Sequence, residues 1–502
     1  MNNKRLSINM IANLVAFALN MLVSFFLSPY IVENLGSEAY GFISMITNLL
    51  STSQIVTIAF NSMGARFITI AIHRGDEKKA KQYFSSLFFA NLLMASAIFI
   101  VFCVMTWNID VVFDVPAHLK TDVSYAFLIS AFAFSLALVF SIYSVSTYAK
   151  NRLDLSAMRD MTKQMVRALS ILILFLLFEP SVALVSVASL IMEVYFIFTN
   201  RKLMKKLLPD YKVQRSNFSF QALKELLTSG IWNSVGRLSY VLMSDLDLMI
   251  ANIFVSAASM GVLSISKTIP SAINSLITTI VAIFIPTFTI HYAKNNIKGL
   301  LHDMNKAIKI IGVCISPVLS VFLVFGKDFY SLWQPTQDAE FLHILSVLAI
   351  LPIYFTLGMK SVNNTFSVTN KLFLPTIVTF VTSVCTIITE FILLKFTSLG
   401  VLVIAATSSM YMILKDLFFI PLYAAKCLKI KWYTFYPHVI SEFLIIVASI
   451  AIAYGFHSLL TIDSWLSLIA FGAIACIGLI IFNCLLVMRK EDYAKVIAKF
   501  KK

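Results

Sequence analysis

Apolar residues in this chain fall into long blocks, each closed by charged residues or by proline and glycine. The blocks cover residues 10–31, 39–73, 84–107, 122–149, 161–178, 181–200, 229–254, 257–289, 305–325, 341–366, 373–394, 397–424, 437–456 and 464–488. Each is long enough to cross a hydrocarbon layer as a helix, which takes about 20 residues. The pattern predicts an all-α polytopic membrane protein with 14 transmembrane helices. The second and eighth blocks exceed one straight crossing, so each is expected to continue past the bilayer or to bend, at Asn61-Ser62-Met63-Gly64 and Pro286.

Composition agrees. Of 502 residues, 59% are hydrophobic and 13% charged, half the charge of an ordinary soluble domain. A large soluble enzyme is excluded. The net charge of +15 would suit a nucleic-acid binder, but its distribution argues otherwise. With the N-terminus placed in the cytoplasm, 32 of the 40 basic residues fall on cytoplasmic segments and three (Lys120, Lys327, Lys395) on outer ones. That asymmetry predicts both termini inside. The first apolar run lacks a signal-peptide cleavage pattern and reads as a retained helix. The six cysteines lie singly in apolar stretches, so neither a disulfide framework nor a metal site is expected.

Residues 201–228 form the one sizeable polar connection. Its first half is basic, and Ser219–Leu227 has the spacing of a surface-lying amphipathic helix. It divides an N-lobe, 1–200 with helices one to six, from a C-lobe, 229–424 with helices seven to twelve. Residues 425–502 supply the last helix pair and a basic tail. The halves are related. A shift of 220 residues brings Asn13 onto Asn233, Ser24 onto Ser244, Gly41 onto Gly261, Ser44 onto Ser264 and Ser51 onto Ser271. Six helices per half make this a parallel repeat, a transporter arrangement.

Four repeat-related helices carry polar stripes. Helix one aligns Asn13, Asn20 and Ser24; helix two aligns Ser44, Asn48, Ser51, Ser62 and Arg66. Helix seven aligns Asn233, Arg237, Tyr240, Ser244 and Asp247, and helix eight Ser264, Lys267, Ser271, Asn274 and Thr278. Such stripes either glue helices together or line a wet cavity. A charge at mid-bilayer costs roughly 2.5–3.5 kcal/mol, which favours the cavity. Arg237 and Lys267 are the leading anion ligands, with Arg66 next, while Asn13, Asn20, Asn48, Tyr240 and Asn274 are expected to line the rest of the path. Asp247, or instead Asp245, pairs with Lys267 or takes part in ion coupling. Glu193, Glu390, Lys415 with Asp416, and Glu442 lie toward helix ends, where snorkelling competes with a relay role and the sequence does not choose.

No P-loop, H-E-x-x-H or G-x-S-x-G motif occurs. The stretch Ser28-Pro-Tyr-Ile-Val-Glu-Asn-Leu-Gly36-Ser-Glu-Ala-Tyr40-Gly41-Phe42 and the opening of helix seven, Gly230-Ile-Trp232-Asn-Ser-Val-Gly236, resemble the polysaccharide transporters. These are Wzx-type oligosaccharide flippases of the multidrug/oligosaccharidyl-lipid/polysaccharide (MOP) exporter superfamily. The resemblance implies a non-enzymatic flippase in the bacterial cytoplasmic membrane. It would carry undecaprenyl-diphosphate-linked oligosaccharide from inner to outer leaflet by alternating access, without a cofactor and coupled to a Na+ or H+ gradient. It also implies a monomer among membrane lipids, with polysaccharide polymerase or assembly proteins as partners and no nucleic acid. The competing readings are a cation-coupled multidrug exporter of the same fold, whose cavity should favour acids over bases, and a membrane polymerase or ligase, which would need a larger outer loop.

Overall fold

The computed structural model describes residues 3–150, 152–242, 246–369 and 371–487. Regular structure among them is entirely helical, and they divide into two compact units, 1–265 and 266–502. Ten segments of the described residues are long and apolar enough to cross a membrane, and the chain is a multi-pass membrane protein.

The first unit runs α1 (Asn3–His73), α2 (Glu77–Trp107), the single turn α3 (Ile109–Val112), α4 (Lys120–Phe140), the short α5 (Val145–Ala149), α6 (Leu153–Leu177), α7 (Val182–Leu207), α8 (Phe220–Tyr240), α9 (Asp247–Phe254) and α10 (Ala257–Ser266). Of the predicted blocks without a long apolar helix of their own, one is the second arm of α1 and another is the charge-bearing α6. The other two are the interrupted runs α8–α9 and α10–α12.

α1 is a hairpin. Its one non-helical residue is Gly36, at φ 84° and ψ 165°, a region open essentially to glycine alone. Ser28 Oγ donates to Tyr40 Oη at 3.0 Å. Twelve residues of straight helix would separate them by about 18 Å, so the chain must double back between them. The expected bend at 61–64 does not interrupt the second arm, which stays helical through those residues.

α8 packs along α1, and Ser234 Oγ donates to Ile55 O at 2.7 Å. Its start at Phe220 makes the amphipathic stretch and the following apolar residues one continuous helix. α2 anchors that start: Ser86 Oγ accepts from the Ser219 amide at 2.8 Å, and Tyr83 Oη donates to Glu225. Gly41 and Gly261, paired by the repeat, touch. A Cβ on Gly41 would lie 2.8 Å from the Gly261 Cα, and one on Gly261 would strike the Ser37 carbonyl.

The second unit comprises α11 (Thr268–Ala282), α12 (Ile285–Ala293), α13 (Ile297–Trp333), α14 (Ala339–Thr356), the single turns α15 (Met359–Val362) and α16 (Thr365–Val368), α17 (Phe373–Phe396), α18 (Val401–Leu414), α19 (Ile420–Leu428), α20 (Tyr436–His457) and α21 (Trp465–Val487). Pro286 stands in the first turn of α12, so the predicted bend there is present. The same run also breaks at Lys267, between α10 and α11. α13 is the axis of the unit, with α14, α20 and α21 against it. Asn483 Nδ2 donates to Ser316 Oγ at 2.8 Å, and Ser449 Oγ donates to Asn483 Oδ1 at 3.1 Å. The three buried side chains clasp α13, α20 and α21 where lipid could satisfy none of them.

A cationic cavity in the first unit

α6 begins eight residues before the apolar block predicted for it. Arg152 and Asp154 pair at its start at 2.9 Å. The Arg152 hydrogen bond holds the Asp154 carboxyl below its usual range, and an anion in a first helical turn also suits the helix dipole. The early start puts Lys163 well inside the helix rather than near its edge. It also puts Lys163 and Arg167, four residues apart, on one face. Arg159 donates to the Thr199 carbonyl of α7, fixing the register in which Lys163 Nζ meets Glu193 Oε1 at 2.7 Å. Lys163 also sits over the Phe196 ring, 4.5 Å from its centroid.

These groups open onto a cavity of about 520 Å³ enclosed by α1, α2, α4, α5, α6 and α7, within the size range of small-molecule sites. Its charged lining is Lys163, Arg167 and Glu193, one net positive charge, and Ser51, Thr57, Asn61, Ser130, Ser141 and Ser189 add polar groups. Asn61 is held by a reciprocal amide pair with Asn91 at 3.1 and 3.0 Å, and Asn91 also donates to Ser141 Oγ at 3.2 Å. Arg167 has Glu193 and Tyr40 as electrostatic neighbours, yet its buried Nε has no hydrogen-bond partner among the described residues. The same is true of Glu193 Oε2. A guanidinium with an unused donor beside a cavity is equipped to take an anion's oxygens.

The sequence-predicted residues are placed differently. Arg66 is exposed on α1 and lies outside the cavity lining, one residue past the lining Ala65. Asn48 is half-buried between the lining residues Thr47 and Ser51, of which Ser51 shares its stripe. Asn20 is half-buried, and its Oδ1 has no partner among the described residues. Asn274 donates to the Pro270 carbonyl of its own helix at 3.3 Å, and Lys267 caps α11 at the helix break. Asp247 is buried at the start of α9. Asp247 thus belongs to a different helix from the stripe residues that precede the end of α8 at Tyr240. The side chains of Asn13, Arg237 and Tyr240, and all of Asp245, lie outside the described residues. Arg167 and the Lys163–Glu193 pair were missed as site residues; the signal that could have found them is two cations four apart entering an apolar run.

Residues 6–292 match the family described as polysaccharide biosynthesis protein. The chain is 27% identical to the uncharacterized membrane protein EpsK of Bacillus subtilis (strain 168), over 99% of this chain and 98% of that protein. Among solved structures, the lipid II flippase MurJ in an inward closed conformation is similar in fold, with a TM-score of 0.70 and 15% identity over 96% of this chain and 99% of that one. A multidrug resistance MATE family transporter of the MOP superfamily, inward-facing, has a TM-score of 0.58 and 15% identity over 89% of this chain and 98% of its own. The chain belongs to the polysaccharide biosynthesis protein family and has the fold shared by MurJ and the MATE transporters.

Proposed function

We propose that this protein is a flippase that moves undecaprenyl-diphosphate-linked oligosaccharide from the inner to the outer leaflet by alternating access. Both termini would be cytoplasmic and 14 helices would span the membrane. The observation that carries the reading is Arg167, with an unused donor beside a polar cavity in the membrane-spanning part of the chain. A diphosphate supplies the oxygens that a guanidinium and an ammonium recognise, and the hydroxyls and amide of the walls suit sugars. Glu193 neutralises Lys163, which lowers the cost of holding two cations in a membrane. A cavity with a net positive charge is the wrong environment for the cationic drugs a multidrug exporter would carry. Arg237, Lys267 and Arg66 are proposed as further phosphate contacts along the path.

Deletion of the gene should remove a surface glycan and accumulate its lipid-linked precursor. Wild type should restore export, Arg167→Lys in part, and Arg167→Ala not at all, with equal protein in the membrane. Arg237→Ala and Lys267→Ala should each lose export as well. Normal surface glycan and no precursor in the deletion strain would overturn the reading.

A further inference from the structure

In the second unit two buried carboxyls flank the broken end of α14, and their surroundings differ sharply. Asp416, 2% exposed, lies in the π-turn Lys415–Phe419. It has Lys360 Nζ at 3.6 Å and Lys415 Nζ at 3.5 Å, and Thr356 Oγ1 donates to it at 3.4 Å. Two ammonium groups thus stand beside Asp416. Glu442 of α20, 7% exposed, has no ion pair among the described residues, and its Oε1 has no hydrogen-bond partner among them. Glycines make its space. A Cβ on Gly312 of α13 would lie 3.3 Å from Oε1, and one on Gly358, between α14 and α15, would collide with Oε2.

A carboxylate is costly in such a place and a carboxylic acid is not. Asp416 is paired with two cations and Glu442 with none among the described residues, which leaves Glu442 as the carboxyl suited to carry a proton. We propose that Glu442 is a proton-binding site of this protein, alternately protonated and ionised during its working cycle, and that Asp416 holds Lys360 and keeps it from neutralising Glu442. The ionisable groups on the elements packed against Glu442 are Lys309 and Cys314 on α13, Lys360 on α15, His438 one turn earlier on α20, and Cys484 on α21. Tyr354 of α14 is engaged with the Leu319 carbonyl at 2.9 Å. None of them pairs with Glu442 among the described residues. His438, half-buried toward the start of the helix, is placed to pass the proton on. Proton binding stands by itself; its coupling to transport rests on the flippase reading.

The test is infrared titration of the purified full-length chain, paired with complementation of the deletion strain across external pH. Wild type should show a protonated-carboxyl band that disappears as pH rises. Glu442→Gln should lack that band and flatten the pH dependence of export, whereas Glu442→Asp should keep both. An unchanged titrating band in Glu442→Gln, or no titrating band in wild type, overturns the proton site. Loss of the band with an unchanged pH profile overturns the coupling. If the band is lost in Glu442→Gln but the deletion strain exports glycan normally, the proton site survives and the flippase reading falls.

Discussion

At the scale of single residues, the cavity depends on groups that are themselves held by others. Asn91 is fully buried and its three side-chain bonds orient Asn61 and Ser141 at the cavity wall. Hydrogen bonds between membrane helices average about 0.6 and reach about 1.7 kcal/mol. Asn91→Leu should therefore lower stability by about 1–2 kcal/mol, read as an earlier thermal unfolding transition in detergent, and should impair export by freeing Asn61. The sequence displayed Arg167 plainly, as an arginine inside an apolar block, yet its role was hidden. A polar stripe distinguishes the faces of one helix but not which helices adjoin. The partner that makes Arg167 informative, Glu193, is 26 residues away on α7 and meets this face only after folding. Lys163 is hidden for a simpler reason: it stands at the very edge of its apolar block, where a lysine reads as a snorkelling end, while the helix continues out to Leu153.

At the scale of elements, glycine decides where helices turn and how closely they approach. An added Cβ at Gly36 would meet nothing within 4 Å, so Gly36→Ala isolates the backbone term. It should cost about 1–3 kcal/mol, measured by thermal unfolding, without a change in packing. Gly261→Val should fail differently, by driving α10 off the Ser37 carbonyl, whereas the same change at Gly455, which has open space, should be tolerated. The hairpin was legible from Gly36 set between two apolar runs. The interruption at Lys267 was marked only by Pro270, whose ring removes the amide that would have bonded Ser266, and hydropathy continues across it. The continuity of α8 from Phe220 was equally hidden. An amphipathic start reads as a surface helix, and only its anchorage on Ser86 and Tyr83 of α2 shows that the two pieces share one axis.

For the whole molecule, charge distribution sets both placement and acid tolerance. Asp154 and Glu225 lie outside the predicted membrane blocks, and each carboxyl is held below its usual range. For Asp154 the cause is the Arg152 hydrogen bond, and for Glu225 first the Tyr83 hydrogen bond and then Lys79. A carboxyl that is harder to protonate when folded contributes stability at neutral pH, and that contribution fades as pH falls through the folded value. Stability should thus decline below about pH 4, the ordinary carboxylate range. Glu225→Gln should start less stable at neutral pH and decline less on acidification. Thermal unfolding followed across that interval tests this, and an identical slope in the variant would contradict it.

The hairpin in α1 also bears on how the chain enters its membrane. Between the two apolar arms the turn carries little that water would hold back: Glu33, Asn34, Ser37 and Glu38. With the arms already bonded through Ser28 and Tyr40, they can partition into lipid together, as one pre-paired wedge. No hydrophilic loop then has to be hauled through ahead of the second arm. The end of α13 and the start of α14 are the opposite case, with Lys327, Asp328, Asp338 and Glu340 close together, and moving them across would need the insertion machinery's help. The hairpin would therefore be the easier of the two crossings, and the helices that follow it would assemble against a pair already seated.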